Sequence, residues 1–377
     1  MENDIEKLQV ILKEDPSNFQ ARRELSILLA NKGFNEEALF NLKYLLKYFP
    51  QDADLYYNIG ILYEKLKKLD KAKNSYLKAI EIQPQNDFYY NLGEVQISLK
   101  KWDDAIESFK KVLETDLNDG NCYFNLGLCY YQKDEKNLAI DNFQQAINLN
   151  PKDIFAYFYL ANIYQNRGLT NFAIENYNKV LSISPDYSWA YYNLASIAYQ
   201  NNNLDEAKNN LLKTIEYNNY DIEAYKLLTK ILIKQNEIEE IITFLETRLE
   251  KDENGDLYYV LAQVYRQIGN KENYIKNLEK AVEENLTLTY SIELVKKELK
   301  QAKLKLEIKV NEVEEYSSSE TYENDDYEEE QDDSDFIENN YDTDDDEEYD
   351  EKEEDDDDYF NSEEEENNDD YEEEDEL

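Results

Sequence analysis

The sequence predicts an all-α protein built from stacked pairs of helices, and three observations lead to this prediction. Residues 120–151 contain two amphipathic helical patterns with a short break between them. Related patterns recur along the chain at intervals of 33 to 34 residues. The 377 residues include only 8 Gly and 5 Pro, too few for the many turns of a strand-rich fold.

The best-defined repeat is the segment GNCYFNLGLCYYQKDEKNLAIDNFQQAINLNP at residues 120–151. Each half spaces apolar or small residues so that they share one side of a helix. The first set is Tyr123, Leu126, Gly127 and Tyr130, and the second is Ala139, Phe143, Ala146 and Ile147. Asn150-Pro151 ends the second helix, because proline lacks a backbone N–H and disfavours helical conformation in the residue before it.

The order aromatic-x2-Leu-Gly-x2-Tyr, then Ala-x3-Phe-x2-Ala, then Pro resembles the tetratricopeptide repeat (TPR), with Tyr123 where that family usually has Trp. The resemblance implies a right-handed α-solenoid of about eight helix hairpins, whose first helices line a concave groove. It also implies that positions 2, 5, 6, 9, 12 and 13 of each repeat face that groove, counting Gly120 as position 1.

The patterns divide the chain into four segments. We expect an N-terminal capping helix at residues 1–18, TPR hairpins at 19–286, a C-terminal capping helix at 287–311 and a disordered acidic tail at 312–377. The first helix resembles the second half of a repeat. The last two repeats are degenerate, with Ile241 and Tyr274 where the second helices of the earlier repeats have a small Ala.

Small residues recur at one position in each helix of a pair. They are Gly60, Gly93, Gly127, Ala161 and Ala195 in the first helices, and Ala38, Ala72, Ala105, Ala139, Ala173 and Ala207 in the second. We interpret them as the places where helices cross closely, which leaves no room for a larger side chain. They are therefore packing residues and no evidence of function.

The net charge of −46 is concentrated at one end of the chain. Residues 312–377 contain 39 Asp and Glu and one Lys, a net charge of −38, and the preceding 311 residues have a net charge of −8. A polyanion of this kind repels phosphates, so direct nucleic-acid binding is not expected. It could instead attract basic proteins, or serve only to keep the chain soluble.

Catalysis is not expected of this chain. It has no histidine, which removes the usual catalytic triads and most zinc sites. Cys122 and Cys129 lie two helical turns apart, beyond disulfide reach, and are expected to be packing residues in a reducing compartment. We predict no enzyme activity, no cofactor and no metal. No segment has the length of a membrane span or the pattern of a signal peptide, so we expect a cytoplasmic protein.

The candidate binding residues are amides and aromatic rings at the groove positions. They are Tyr57, Asn58, Tyr90, Asn91, Phe124, Asn125, Phe158, Asn162, Trp189, Tyr192, Asn193 and Tyr199. A row of carboxamides can pair with the backbone of an extended peptide, and rings add stacking area. The alternative is that Asn is simply common at this position. A carboxylate clamp of the kind found in chaperone-binding TPRs is disfavoured, because the neighbouring groove residues Asp54, Asp87 and Glu94 are acidic.

We therefore expect a protein-interaction scaffold that holds an extended peptide or a partner helix in its groove. Two other functions stay open. The tail could make the chain a chaperone or anchor for basic proteins, or the chain could select substrates for a separate catalytic subunit. The expected partner is a protein or peptide, with no direct contact to nucleic acid or membrane.

Overall fold

The computed structural model describes residues 2–319, and all regular structure in that range is helical. The range contains eighteen α-helices and a 3-10 turn at Asn285–Thr287. The helices are α1 Glu2–Glu14, α2 Phe19–Asn31, α3 Asn35–Leu46, α4 Ala53–Lys65, α5 Leu69–Ile82, α6 Asn86–Ser98, α7 Trp102–Leu113, α8 Gly120–Gln132, α9 Lys136–Leu149, α10 Ile154–Asn166, α11 Thr170–Ile183, α12 Ser188–Gln200, α13 Leu204–Tyr217, α14 Ile222–Lys234, α15 Ile238–Leu249, α16 Gly255–Gln267, α17 Lys271–Glu283 and α18 Ile292–Ser319. Within this part of the chain, no helix is both long and apolar enough to cross a membrane.

Helices α2 to α17 form eight consecutive hairpins, from α2/α3 to α16/α17. In most hairpins the two helices contact each other along much of their length, and each second helix then packs against the first helix of the next hairpin. The buried apolar residues form a succession of clusters along this stack. The predicted all-α solenoid of about eight hairpins is therefore confirmed.

The small residues in the first helices make room for a ring on the second helix of the same hairpin. A Cβ atom at Gly93 would lie 2.6 Å from Cζ of Phe109, and one at Gly127 would lie 2.7 Å from Cδ1 of Phe143. Both rings are completely buried. Two helices can approach this closely only when one of them offers no side chain at the crossing point.

The seventh hairpin, α14/α15, is the exception. Its two small positions hold the β-branched residues Thr229 and Ile241, both buried. The two helices touch over a shorter part of their lengths than those of any other hairpin, and α16 contacts α14 directly. The degenerate sequence of this repeat thus has a structural counterpart.

The two end helices pack on the hairpins next to them. Helix α1 contacts α2. At the other end, Val295 of α18 is fully buried against Leu278 and Ala281 of α17. The buried carboxylate of Asp256 accepts hydrogen bonds from the backbone N–H and the hydroxyl of Thr289, at 2.8 and 3.1 Å, and so fixes the connection into α18.

The boundaries of the C-terminal helix differ from those predicted. Helix α18 begins at Ile292, after the 3-10 turn, and continues to Ser319, eight residues beyond the expected end at Asn311. Residues 312–319 contain neither Gly nor Pro, and their three Glu favour helix. The predicted disorder of the acidic tail otherwise concerns residues 320–377, which lie outside the described residues.

Candidate functional site

The candidate residues lie on the first helices α4, α6, α8, α10 and α12, at positions that continue in register on α14. We call the side formed by positions 2, 5, 6, 9, 12 and 13 of those helices the ladder face. Within the same helices, positions 3 and 7 carry residues that are buried in the stack or nearly so, such as Leu55 and Ile59 in α4. The ladder face is therefore the side of each first helix that the hairpin interior leaves available.

Two of the asparagines join neighbouring hairpins. The side-chain amide of Asn91 donates to the hydroxyl of Tyr57 at 2.8 Å, and that of Asn125 donates to the hydroxyl of Tyr90 at 3.2 Å. In both cases a residue at position 6 reaches the residue at position 5 of the preceding first helix. Asn125 is 9% exposed. These amides are thus partly used to hold the stack together.

Where the preceding helix offers no hydroxyl, the amide turns to its own helix. Asn193 follows Phe158 and donates to the backbone carbonyl of Trp189 at 3.0 Å. Asn58 follows Arg23 and donates to the carbonyl of Asp54 at 2.7 Å. The direction of each amide therefore depends on whether tyrosine occupies position 5 one repeat earlier.

The one interruption of the asparagine row fits the same rule. Tyr159 stands at position 6 after Phe124, which has no hydroxyl to accept a hydrogen bond. The ring of Tyr159 packs instead against that of Phe124, with centroids 6.0 Å apart, and stacks on Phe143 at 5.4 Å. Rings replace the polar bridge at this junction.

The aromatic rings at position 5 also pack against the second helix of their own hairpin. Tyr90 packs on Phe109 of α7 with centroids 5.6 Å apart, and Phe158 packs on Tyr177 of α11 at 5.8 Å. The side-chain oxygen of Asn162 accepts a hydrogen bond from the Tyr177 hydroxyl at 2.5 Å. These side chains combine a packing role with a partly exposed surface, which the sequence pattern did not reveal.

The exposure of the candidate residues varies along the face. Asn58 and Trp189 are exposed, and the large Trp189 is 44% exposed. Asn125 is buried. The others are half-buried: Tyr57, Tyr90, Asn91, Phe124, Phe158, Asn162, Tyr192, Asn193 and Tyr199. Trp189 and Asn58 are thus the best placed of the predicted residues to contact another molecule.

Acidic residues surround the first two tyrosines of the face. Partial burial, and next the carboxylate of Asp87, raise the pKa of the Tyr57 hydroxyl above its usual value. Burial, and next Glu94, do the same to the pKa of Tyr90. Both hydroxyls stay protonated at neutral pH and remain acceptors for the two asparagines.

The end of the ladder face formed by α14 is basic. None of the candidate residues chosen from the sequence lies there. Helix α14 carries Lys226, Lys230 and Lys234 at positions 5, 9 and 13. The ammonium groups of Lys230 and Lys234 lie 5.9 and 5.5 Å from the centroid of the Tyr199 ring. Carrying the repeat register into the degenerate seventh repeat would have found these lysines from the sequence.

Metal and thiol chemistry find no support among the described residues. No group of three or more Cys, Asp and Glu there could hold a metal ion. Cys122 and Cys129 are buried and unpaired as thiols. Burial raises the pKa of Cys129 to about 12, so its thiol is unreactive at neutral pH.

Comparison with solved structures finds matches that include MamA, YrrB and yeast Tom70. A crystal structure of MamA is 32% identical over 42% of this chain and 94% of that one, with a TM-score of 0.41. YrrB, described as a TPR protein with an unusual peptide-binding site, is 22% identical over 48% of this chain and 95% of its own, with a TM-score of 0.44. Yeast Tom70 is 19% identical over 76% of this chain and 62% of its own, with a TM-score of 0.49.

Comparison with protein families gives five matches, all described as tetratricopeptide repeat. They cover residues 53–86, 86–152, 142–173, 170–231 and 255–287. None of them indicates an enzyme family. A search among curated proteins gives no match. The matched segments cover the hairpins from α4/α5 to α12/α13 and the hairpin α16/α17, and leave α15 unmatched; this chain belongs to the tetratricopeptide-repeat family.

Proposed function

We propose that this chain is a non-catalytic scaffold that holds an extended peptide or a partner helix on its ladder face. TPR proteins generally mediate protein–protein interactions. The observation that carries the proposal is the row of rings and amides at positions 5 and 6 of the first helices, from Tyr57 to Asn193, with Trp189, 44% exposed, beside it. Exposed aromatic residues beside polar groups are typical of binding surfaces.

The hydrogen bonds between hairpins support this function in a second way. A carboxamide has two donors and an acceptor, so Asn91 keeps one N–H and its oxygen after bonding to Tyr57. At the same time the bond fixes the spacing of α4 and α6. A surface whose geometry is fixed before binding loses less entropy when a partner binds.

Substitution of the two exposed residues, together with the half-buried Asn193, tests the proposal. We expect Trp189→Ala combined with Asn58→Ala and Asn193→Ala to abolish the recovery of partners in affinity purification with mass spectrometry. The matched control is Phe40→Ala, because Phe40 is 68% exposed but lies on α3, a second helix away from the ladder face. Unchanged partner recovery with the triple variant would contradict the proposal.

A second candidate function rests on the charge of residues 312–377, 39 acidic residues against one Lys. Such a segment attracts basic proteins with a strong dependence on salt. If this segment recruits the partners, a chain ending at Val310 should lose them while the triple ladder-face variant keeps them. The opposite pattern would favour the ladder face.

A further inference from the structure

Charged residues are distributed unevenly along the ladder face. At its positions in α4 and α6 stand four acids, Asp54, Glu64, Asp87 and Glu94, and one base, Lys65. In α14 the same positions hold three lysines and one acid, Glu223, which forms an ion pair with Lys226 at 2.6 Å. The face therefore has an acidic end and a basic end.

Between these ends lies a region without charge. The eighteen ladder-face positions of α8, α10 and α12 contain no Asp, Glu, Lys or Arg, although 33% of the residues in the chain are charged. They hold amides, rings, one Leu and one Ser. A random distribution of charge would have placed several charged residues there, so the two charged ends are well separated.

The charged groups at both ends are accessible. Asp54, Asp87 and Glu94 are exposed in the acidic end. Lys230 and Lys234 are exposed in the basic end. Their ammonium groups lie near the Tyr199 ring at the edge of the uncharged region, and that of Lys234 also donates to the side-chain oxygen of Asn202 at 2.8 Å. Two separated fields of opposite sign suit a ligand whose own charges are separated in the same way.

We propose that the ladder face selects a peptide with a cationic segment at one end, an uncharged polar or aromatic middle and an anionic segment at the other, and that it binds this peptide in one orientation. The cationic segment lies over α4 and α6, and the anionic segment lies over α14. This inference rests on the proposed function and adds to it the chemistry and direction of the ligand. Like charges would face each other in the reverse orientation, which disfavours it.

The test uses the full chain and synthetic peptides. Each peptide has a block of lysines and a block of glutamates, joined by Gly-Ser-Asn linkers of several lengths. A photo-reactive group stands beside one block or the other. Cross-linked sites are mapped by mass spectrometry, and affinity is measured by fluorescence anisotropy at low and high salt. We expect the lysine block to cross-link to α4 and α6, and the glutamate block to α12 and α14.

Charge reversal sharpens the test. Asp87→Lys with Glu94→Lys, and separately Lys230→Glu with Lys234→Glu, should each weaken binding by about tenfold at low salt. Combining all four substitutions should restore the affinity and exchange the two sets of cross-links. Matched controls on second helices are Glu107→Lys with Asp141→Lys, and Lys179→Glu with Lys276→Glu, all at exposed positions. The controls should change the affinity by less than about twofold.

The outcomes separate the two proposals. If none of the peptides binds at any linker length, the proposed function of the ladder face fails. If peptides bind but each block cross-links equally to both ends, or if the control variants weaken binding as much as the ladder-face variants, the inference of an oriented ligand is overturned and peptide binding itself stands.

Discussion

The two helices of hairpins α6/α7 and α8/α9 pack at their crossing point in one way, and those of hairpin α14/α15 pack in another. In the first two, a glycine on one helix receives a fully buried phenylalanine ring from the other. In the third, Thr229 and Ile241 stand at the crossing, and the two helices touch over a shorter part of their lengths. The contrast shows that the small residues, and not the apolar pattern alone, determine how closely two helices of a hairpin approach.

The apolar periodicity is present in all three hairpins, and all three form two helices. What differs is the quality of the contact. The hydroxyl of Thr229 is buried without a hydrogen-bond partner, which indicates that the polar groups at this crossing are not fully satisfied. We expect the seventh hairpin to be the least stable part of the stack, and the following changes test this comparison.

The largest effect is expected from removing a large buried side chain at a closely packed helix crossing. Phe143→Ala removes a ring that is completely buried against Gly127, and should lower the free energy of unfolding by about 3–5 kcal/mol. Urea denaturation followed by circular dichroism measures this. Phe172→Ala, at a 54% exposed position on α11, should cost less than about 1 kcal/mol, and an equal cost for both would contradict the account.

The second effect compares substitution by Leu at the same crossing position in the two kinds of hairpin. Ala139→Leu adds volume where α8 and α9 cross and should cost about 1–3 kcal/mol. Ile241→Leu changes the shape of a buried side chain at nearly constant volume in hairpin α14/α15, and should cost less than about 1.5 kcal/mol. Thermal unfolding of both variants checks the difference, and a larger loss for Ile241→Leu would reverse the comparison.

The third effect concerns the bonds between hairpins. Tyr90→Phe removes the acceptor of the nearly buried Asn125 amide and should cost about 1–2 kcal/mol. A double-mutant cycle with Asn125→Ala isolates the interaction, and we expect a coupling of about 0.5–1.5 kcal/mol. The reciprocal variant Phe158→Tyr offers Asn193 a new acceptor and should leave stability unchanged or slightly raised. A coupling of zero would show that the hydrogen bond contributes nothing.

The smallest effect should be a gain in the seventh hairpin. Thr229→Val keeps the size of the side chain and removes a buried hydroxyl that has no partner, so stability should rise by about 1 kcal/mol. Ser75→Ala provides the control, because the Ser75 hydroxyl already donates to the carbonyl of Lys71 at 2.9 Å and its removal should bring no gain. A loss of stability with Thr229→Val would indicate an unrecognised role for the hydroxyl.

The sequence was sufficient to predict the hairpins, their number and the crossing residues, because helix periodicity and small-residue positions are local signals repeated every 33 to 34 residues. It was not sufficient for the direction of the amides. Asn91 and Asn193 occupy the same position, yet only Asn91 bonds to the preceding hairpin. That difference depends on a hydroxyl one repeat earlier, a non-local relation that becomes visible only when consecutive repeats are compared in pairs.

The C-terminal boundary was missed for a different reason. Composition changes at Glu312 from mixed to acidic, but helix formation depends on the absence of breakers as well as on charge, and α18 continues to Ser319. The lysines of α14 were missed because the seventh repeat was treated as degenerate. Its packing residues are indeed altered, but its ladder-face positions stay in register with those of the other repeats.

The hydrogen bonds from Asn91 to Tyr57 and from Asn125 to Tyr90 have a mechanical consequence. They tie α4, α6 and α8 together across the ladder face, so stretching this region requires breaking polar bonds as well as sliding apolar surfaces. Around α14 the polar bonds between hairpins come from other side chains, such as Lys234, which donates to the side-chain oxygen of Asn202 at 2.8 Å. When a pulling force is applied to the two ends of the solenoid, the region from α4 to α8 should therefore behave as a stiff spring.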